Sequence, residues 1–153
     1  MHPTYGVHRD MKSHTGLYIT LGEGPVFVGS SKQKIVVKSS TEAELVALSD
    51  SANQILWTRE FLCAQFGVVC SSCPPAIIME DNMSTIALMK AKRAQRQQTK
   101  HINIRYFFLK DRQDHGEVTI QHMSTGEMVA DVLTKPLQGT LFMYLRSKLL
   151  NCS

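Results

Sequence analysis

A single long helix is the feature that most limits how this chain can fold. Between residues 41 and 66, apolar side chains recur at helical spacing without proline or glycine, and Gly67 follows, a residue type at which helices commonly end. At about 100° per residue, one face of this helix is an apolar stripe. The stripe contains Leu48, Ile55, Leu62 and Phe66. Glu44 lies within about 40° of all four, where a carboxylate is costly unless it is paired, capped or metal-bound.

Two explanations of Glu44 fit the sequence. Residues 41–44 (TEAE) have the spacing of a capping box, in which Glu44 would reach back to the start of its own helix. Alternatively, the carboxylate belongs to a functional site that the helix carries. The spacing alone leaves both explanations open.

The elements around the helix change in character along the chain. Short β-branched and aromatic runs before it predict antiparallel strands joined by a tight turn at residues 22–25. After it, strands alternate with helices, which predicts an α/β fold with a mixed sheet flanked by helices, the two later strands being parallel. The predicted strands are 17–21, 26–28, 35–37, 76–79 and 117–121, and the later helices are 84–90, 102–112, 124–134 and 141–149.

Composition excludes several classes of protein. The 153 residues are 43% hydrophobic and 20% charged, a balance that predicts one globular domain rather than a disordered chain. The net charge of +4 is compatible with a polyanionic partner without requiring one. No signal peptide is visible, and no apolar run approaches the roughly 18 residues of a membrane helix. We therefore expect an intracellular protein of the cytoplasm or nucleus, with no membrane partner.

The four cysteines include one CxxC pair, Cys70 and Cys73. No second pair follows at the spacing of a zinc site. The cysteines are predicted to be ordinary reduced thiols, as inside a cell, with a metal or redox role for the CxxC pair as the alternative.

Two further acids are candidates for the same site as Glu44. Asp81 follows a buried strand at its carboxyl end, where ligands collect in α/β sheets, although it could equally be a helix N-cap. Asp131 lies between Ala130 and Val132 in a predicted helix, and its alternative is an ordinary exposed acid. Three carboxylates without a histidine or cysteine cluster favour Mg²⁺ or Mn²⁺ over Zn²⁺.

A basic stretch without any acid runs from Lys90 to Arg105. Such a run is commonly a solvated loop, and it can also be a surface that follows a phosphate backbone. Its candidate nucleic-acid-binding residues are Lys92, Arg93, Arg96, Lys100 and His101, the last of which could instead cap the next helix.

An ordered set of motifs resembles the ribonuclease H domain of copia-type LTR retrotransposon Pol polyproteins. The motifs are 11–16 (MKSHTG), 30–34 (SSKQK), 38–45 (KSSTEAEL), 81–82 (DN), 99–106 (TKHINIRY) and 128–137 (MVADVLTKPL). The likeness extends over about residues 5–150 and is specific as a set, although each motif alone is weak.

The resemblance implies an RNase H-like fold that cleaves the RNA strand of RNA–DNA hybrids, beside the reverse transcriptase portion of the same polyprotein. It implies two Mg²⁺ or Mn²⁺ ions held by four carboxylates. Glu44, Asp81 and Asp131 match three of the four as metal ligands and catalytic residues. On this alignment residues 1–16 are a remnant of the first strand and the loop after it, and residues 17–150 are the RNase H-like domain.

The chain departs from the family at the fourth carboxylate. The family has a strand ending in a motif like Val-Asp-Ala-Ser-Tyr, and here residues 1–5 read MHPTY, so His2 stands where the first catalytic aspartate belongs. Neutral imidazole does not replace a bridging carboxylate for Mg²⁺, and most of that first central strand has no counterpart. We therefore expect little or no nuclease activity from the chain as given. The alternative function is that of a degenerate or domesticated fragment acting at most as a nucleic-acid-binding or interaction module.

Overall fold

The computed structural model describes the backbone of residues 2–4 and the residues 9–69, 72–91 and 100–152. Its strands are β1 (His2–Thr4), β2 (His14–Thr20), β3 (Pro25–Lys32), β4 (Ala76–Glu80) and β5 (Val118–His122). Its α-helices are α1 (Ser40–Gln65), α2 (Met83–Lys90), α3 (Lys100–Asp114) and α4 (Gly139–Leu150). Two 3₁₀ turns, Thr125–Glu127 and Val129–Leu133, lie between β5 and α4. The predicted α/β class is therefore confirmed.

The strands of the described residues form two sheets. β1, β2 and β3 pair in that order and antiparallel, whereas β4 and β5 pair in parallel, which confirms the predicted direction of the two later strands. Within the described residues, the strands of the predicted mixed sheet lie in two separate sheets. β1 pairs with only three residues of β2, His14 to Gly16, and no described strand joins β2 to β4.

Helix α1 packs against both sheets and supplies much of the core. It begins at Ser40 because Ser39 Oγ accepts a hydrogen bond from the Glu42 amide at 3.2 Å, and Glu42 in turn accepts one from the Lys38 amide at 2.7 Å. Seven consecutive residues, 43–49, are buried. Residues 43–49 are therefore enclosed on all sides, and the helix contacts β1, β2, β4, α2 and α3.

Two predicted elements differ from the structure. Residues 35–37 are irregular rather than a strand, because the chain leaves the sheet at Gln33, whose side-chain amide donates to Thr15 Oγ1 at 3.0 Å and to the Ala43 carbonyl at 2.9 Å. Residues 124–134 form two 3₁₀ turns rather than one helix, because Met128 adopts an extended conformation between them.

The prediction of reduced thiols is wrong for two of the cysteines. Cys63 of α1 and Cys73, in the segment that leads into β4, form a disulfide with their Cα atoms 6.6 Å apart. The chain turns back after α1 and brings Cys73 beside the helix, where Arg59 donates to the Cys73 carbonyl at 2.8 Å. Cys152 is a free, exposed thiol, and Cys70 lies outside the described residues.

Gly16 marks a close approach between β2 and the second 3₁₀ turn. A Cβ atom at this position would lie 2.7 Å from the Ala130 carbonyl oxygen and 2.8 Å from Thr134 Cγ2. We expect Gly16→Ala to lower the free energy of unfolding by roughly 1–3 kcal/mol, measured by urea denaturation. Gly24→Ala is the control, because its Cβ would meet nothing within 4 Å. Equal losses of stability in the two variants would contradict this packing.

Candidate functional site

Three acids meet where α1 passes the end of β4. Glu44, Glu80 and Asp81 each offer a carboxylate oxygen, and these atoms lie within 4.8 Å of one another. Glu44 lies in the second turn of α1 and is 3% exposed, and Glu80 is fully buried at the end of β4. Asp81 is the first residue after the strand and is partly exposed. The structure thus brings two of the three predicted site residues together and adds a third acid, Glu80.

Capping does not account for the positions of Glu44 or Asp81. The first turn of α1 is capped by Ser39 and Glu42, so Glu44 is not used for that purpose. The N-cap of α2 is Asn82, whose side-chain oxygen accepts from the Ser84 and Thr85 amides. Asp81 instead accepts a hydrogen bond from Thr125 Oγ1 at 2.9 Å.

Burial is the main reason why ionisation of Glu44 and of Glu80 is disfavoured. Burial, followed by the charges of Glu80 and Asp81, raises the pKa of Glu44 to about 10. Burial also raises the pKa of Glu80 to about 7, although the Asn82 amide, which donates to Glu80 Oε1 at 3.0 Å, partly opposes this shift. Without a compensating cation, the three groups are therefore not all charged at neutral pH.

The chemistry of this group fits a hard divalent cation. All three side chains provide oxygen, the ligand atom that Mg²⁺ and Mn²⁺ prefer. The second carboxylate oxygen of Glu80, Oε2, is buried and has no hydrogen-bond partner among the described residues. Because a buried carboxylate oxygen without a partner is costly, a cation at this point would satisfy it.

Glu80 was absent from the predicted site, although the sequence contained a signal for it. Side chains alternate between the two faces of a strand, and in β4 both Ile78 and Glu80 are buried. Extending the predicted strand by one residue beyond Met79 would have placed Glu80 on the same inward face as Ile78. The apolar run at residues 76–79 by itself predicts a strand that ends before the acid.

Asp131 is not one of the three acids whose oxygens lie within 4.8 Å of one another. It is 2% exposed rather than an ordinary surface acid, and its carboxylate forms an ion pair with Lys135 Nζ at 2.8 Å. The 3₁₀ turn that carries it packs against Gly16, which pairs with His2 across β1 and β2. Its role as a metal ligand stays a prediction.

The basic candidates are described only in part. Lys92, Arg93 and Arg96 lie outside the described residues. Lys100 and His101 are exposed in the first turn of α3. Their contribution to nucleic-acid binding also stays a prediction.

The raised pKa of Glu80 leads to a testable effect on stability. A group whose pKa is higher in the folded state stabilises the fold at low pH, and this stabilisation is lost as the pH rises through the folded-state value. For Glu80 that loss begins above about 4.5 and extends through about 7. With metal chelated, we expect Glu80→Gln to be more stable than the parent at pH 8 by roughly 1–3 kcal/mol and similar to it at pH 4.5.

Thermal and urea unfolding at the two pH values measure this difference. Glu60→Gln, on the exposed face of the same helix as Glu44, is the control and should change stability little at either pH. A Glu80→Gln variant that is destabilised at pH 8 would contradict the cost of burying the charged Glu80 carboxylate.

Sequence comparison finds relatives among transposon polyproteins. The chain is 34% identical over 140 residues to the retrovirus-related Pol polyprotein from transposon RE1 of Arabidopsis thaliana, a match that covers 92% of the chain and 9% of that protein. It is 32% identical over 131 residues to the corresponding polyprotein from transposon TNT 1-94 of Nicotiana tabacum, covering 86% of the chain and 10% of the relative. A Ty1-LR2 Gag-Pol polyprotein of Saccharomyces cerevisiae is 28% identical over 148 residues, covering 95% of the chain and 8% of the relative.

The chain therefore spans about a tenth of the length of these relatives. No family model matches the sequence. No solved structure matches it significantly. Among the described residues, no helix is both long enough and apolar enough to cross a membrane.

Proposed function

This chain is homologous to one segment of the Pol polyproteins of copia-type retrotransposons, and we propose that the segment is their ribonuclease H domain. In the complete polyprotein it would cleave the RNA strand of RNA–DNA hybrids made by the reverse transcriptase portion. Its fold would then be RNase H-like, with the two described sheets as parts of one larger sheet. The motif set 38–45, 81–82, 99–106 and 128–137 is the basis of this assignment within the polyprotein.

The meeting of Glu44 and Asp81 is the observation that carries the proposal. These residues are 37 positions apart, lie on a helix and at a strand end, and offer oxygens within 4.8 Å of each other. They are two of the residues that the motifs single out as metal ligands. An arrangement of buried acids with raised pKa values is typical of functional sites rather than of surface ion pairs.

The chain's own residues would hold and orient the ions. Glu44, Glu80 and Asp81 supply oxygens on one side, and Asp131 is the further ligand that the resemblance implies. The Asn82 amide holds Glu80, and the Thr125 hydroxyl holds Asp81. Two bound Mg²⁺ or Mn²⁺ ions would supply the activation of the attacking water and the stabilisation of the leaving oxygen.

His2 limits this activity in the chain as given. The resemblance places the first catalytic aspartate at that position, and two ions close together repel each other unless negative ligands lie between them. This substitution favours the second candidate function, a degenerate or domesticated fragment that at most binds nucleic acid or a protein partner. The two functions differ in whether restoring a carboxylate and the preceding strand restores cleavage.

The basic stretch would bind the hybrid through its phosphates. Replacing two of Lys92, Arg93, Arg96 and Lys100 by alanine should weaken hybrid binding similarly for all sequences. The slope of log affinity against log salt should flatten by about two. A fluorescence titration at several salt concentrations measures both quantities.

The control removes the same charge from another part of the protein. Lys110 lies near the end of α3 and Lys148 near the end of α4. Replacing both by alanine should leave the salt slope nearly unchanged. If the two double variants behave alike, the basic stretch is a solvated loop rather than a binding surface.

The proposed activity is tested with a labelled RNA strand in three contexts: paired with DNA, paired with RNA, and single-stranded. The protein for this assay is the chain extended at its N-terminus to include the preceding strand, with His2→Asp. We expect cleavage of the RNA–DNA hybrid alone, dependent on Mg²⁺ or Mn²⁺. Cleavage of all three substrates alike, or cleavage that persists in a chelator, would contradict an RNase H.

A further inference from the structure

A pocket of about 400 Å³ lies between α1 and α3, away from the three-acid group. Asp50 and Asn53 of α1 line it, and at 100° per residue they lie about 240° and 180° around the helix from Glu44. The pocket is therefore a separate site on another side of the same helix. Its volume is within the range, roughly 300–1,000 Å³, of small-molecule sites.

Polar side chains without a partner line this pocket. Ser49, Asn53 and His101 belong to its walls, and the side chains of all three lack a hydrogen-bond partner among the described residues. Ser49 is only 9% exposed, so water reaches it mainly through the pocket. Apolar surface between these groups comes from Ile35, Ile104 and Phe108. An apolar pocket on which a few unpaired polar groups converge is typical of a ligand site.

An ion pair at the pocket places a hydrogen-bond acceptor beside a donor. Arg105 Nη1 donates to Asp50 Oδ1, which joins α3 to α1. No other side-chain hydrogen bond of Asp50 or Arg105 is present in the described part of the chain. The second carboxylate oxygen and the remaining guanidinium N–H groups are therefore open to a ligand. A donor next to an acceptor is the pattern that the edge of a nucleobase presents.

The chemistry of the lining disfavours simpler ligands. A phosphate ion would meet the Asp50 carboxylate, and an aliphatic ligand would leave Ser49, Asn53 and His101 unpaired. A nucleobase avoids both difficulties, because its faces are apolar and its edge is polar. Phe108 and the Arg105 guanidinium plane are also the kinds of surface on which unstacked bases lie.

We propose that this pocket binds one unpaired guanine of a single nucleic-acid strand. Guanine has two adjacent donors on its edge, N1–H and the N2 amino group, beside the O6 acceptor. Asp50 would accept from the two donors, and Arg105 would donate to O6. Asn53, which can both donate and accept, lies three residues after Asp50 on the same helix and can bind a further edge atom.

The surroundings of the pocket favour a strand over a free nucleotide. The basic stretch from Lys90 to Arg105 contains no acid, and its last residue is part of the pocket wall. Lys100 and His101 lie exposed in the first turn of α3, where they can hold phosphates that flank the bound base. The inference rests on the nucleic-acid binding proposed above, but it requires neither a metal ion nor cleavage.

The test measures the affinity for a fluorescent oligothymidylate of about ten nucleotides that carries one central guanine. A chelator is present, so cleavage cannot contribute. Matched oligonucleotides have adenine, cytosine, thymine or hypoxanthine at the centre, and hypoxanthine lacks only the N2 amino group of guanine. We expect the guanine oligonucleotide to bind about tenfold or more tightly than the thymine one, with hypoxanthine between them.

Two variants and a matched control connect this preference to the pocket. Asp50→Asn should abolish the guanine preference, and Asn53→Ala should reduce it while favouring the helix. Asp114→Asn removes the same charge from an exposed ion pair with Lys110 at the end of α3 and should keep the preference. Both aspartate changes make the protein more positive, so charge alone predicts equal or tighter binding of every oligonucleotide.

Several results would overturn the proposal. Equal affinity for all central bases, or a guanine preference that survives in both Asp50→Asn and Asn53→Ala, would show that this pocket does not bind guanine. If binding is still salt-dependent in that case, the proposed nucleic-acid binding stands and the pocket assignment alone fails. A preference for adenine or cytosine would refute guanine as the bound base. Guanosine monophosphate that binds as tightly as the guanine oligonucleotide would refute the assignment to a strand.

Discussion

Adding the first strand that the family resemblance implies and introducing His2→Asp should raise the rate of hybrid cleavage by at least about a hundredfold over the chain as given. Two divalent ions need negative ligands between them, and the motif comparison assigns that role to the residue at position 2. The added strand would extend β1 along β2 and so fix the new carboxylate. The measurement is single-turnover cleavage of a labelled RNA–DNA hybrid with Mg²⁺ and, separately, Mn²⁺.

Two partial variants separate the contribution of the added strand from that of His2→Asp. His2→Asp without the strand should recover little activity, since only three residues of β1 pair with β2. The chain with the added strand but without His2→Asp should gain folding stability and little cleavage activity. Robust cleavage by the unaltered chain, abolished by Glu44→Gln, would show that His2 does not prevent catalysis and would contradict this account.

Glu44→Gln in the active, extended chain should reduce cleavage by about a thousandfold or more, without unfolding the protein. The substitution keeps the size of the side chain while removing the charge that would face the cation. Glutamine should even stabilise the metal-free fold, because burial and the neighbouring acids disfavour ionised Glu44. Cleavage rates and thermal unfolding, measured on the same samples, separate a lost ligand from a lost fold.

Glu60→Gln provides the matched control on the same helix. Glu60 is exposed on α1, away from the buried first half that contains Glu44. This variant should retain the parent rate within about twofold. If Glu44→Gln retains comparable activity, Glu44 is a structural residue and the proposed site is wrong.

Local patterns in the sequence predicted much of what the structure contains. The apolar stripe of α1 predicted the helix and the unusual position of Glu44, and a buried apolar run followed by an acid predicted β4 and Asp81. The predictions of the helix and of the strand both depend on patterns among residues close in sequence. The period of the side chains indicates an amphipathic helix or strand, although residues 43–49 of α1 are buried on every side.

Local sequence patterns could not predict features that depend on distant parts of the chain. The Cys63–Cys73 disulfide exists because the loop after α1 turns back onto the helix, which no spacing rule requires. The division into two sheets depends on how little of β2 is paired by β1. Residue 80 was missed for a local reason, because a strand boundary is uncertain by a residue or two and Glu80 lies at that boundary.

Binding of Mn²⁺ to the chain as given tests the central claim most directly, because it examines the three-acid group without requiring catalysis. Electron paramagnetic resonance at pH 8 counts free and bound Mn²⁺ in the parent, in Glu44→Gln, in Glu80→Gln and in Glu60→Gln. We expect the parent and Glu60→Gln to bind with the same affinity, and the other two to bind at least tenfold more weakly. Equal affinity in all four proteins would contradict a metal centre formed by Glu44, Glu80 and Asp81.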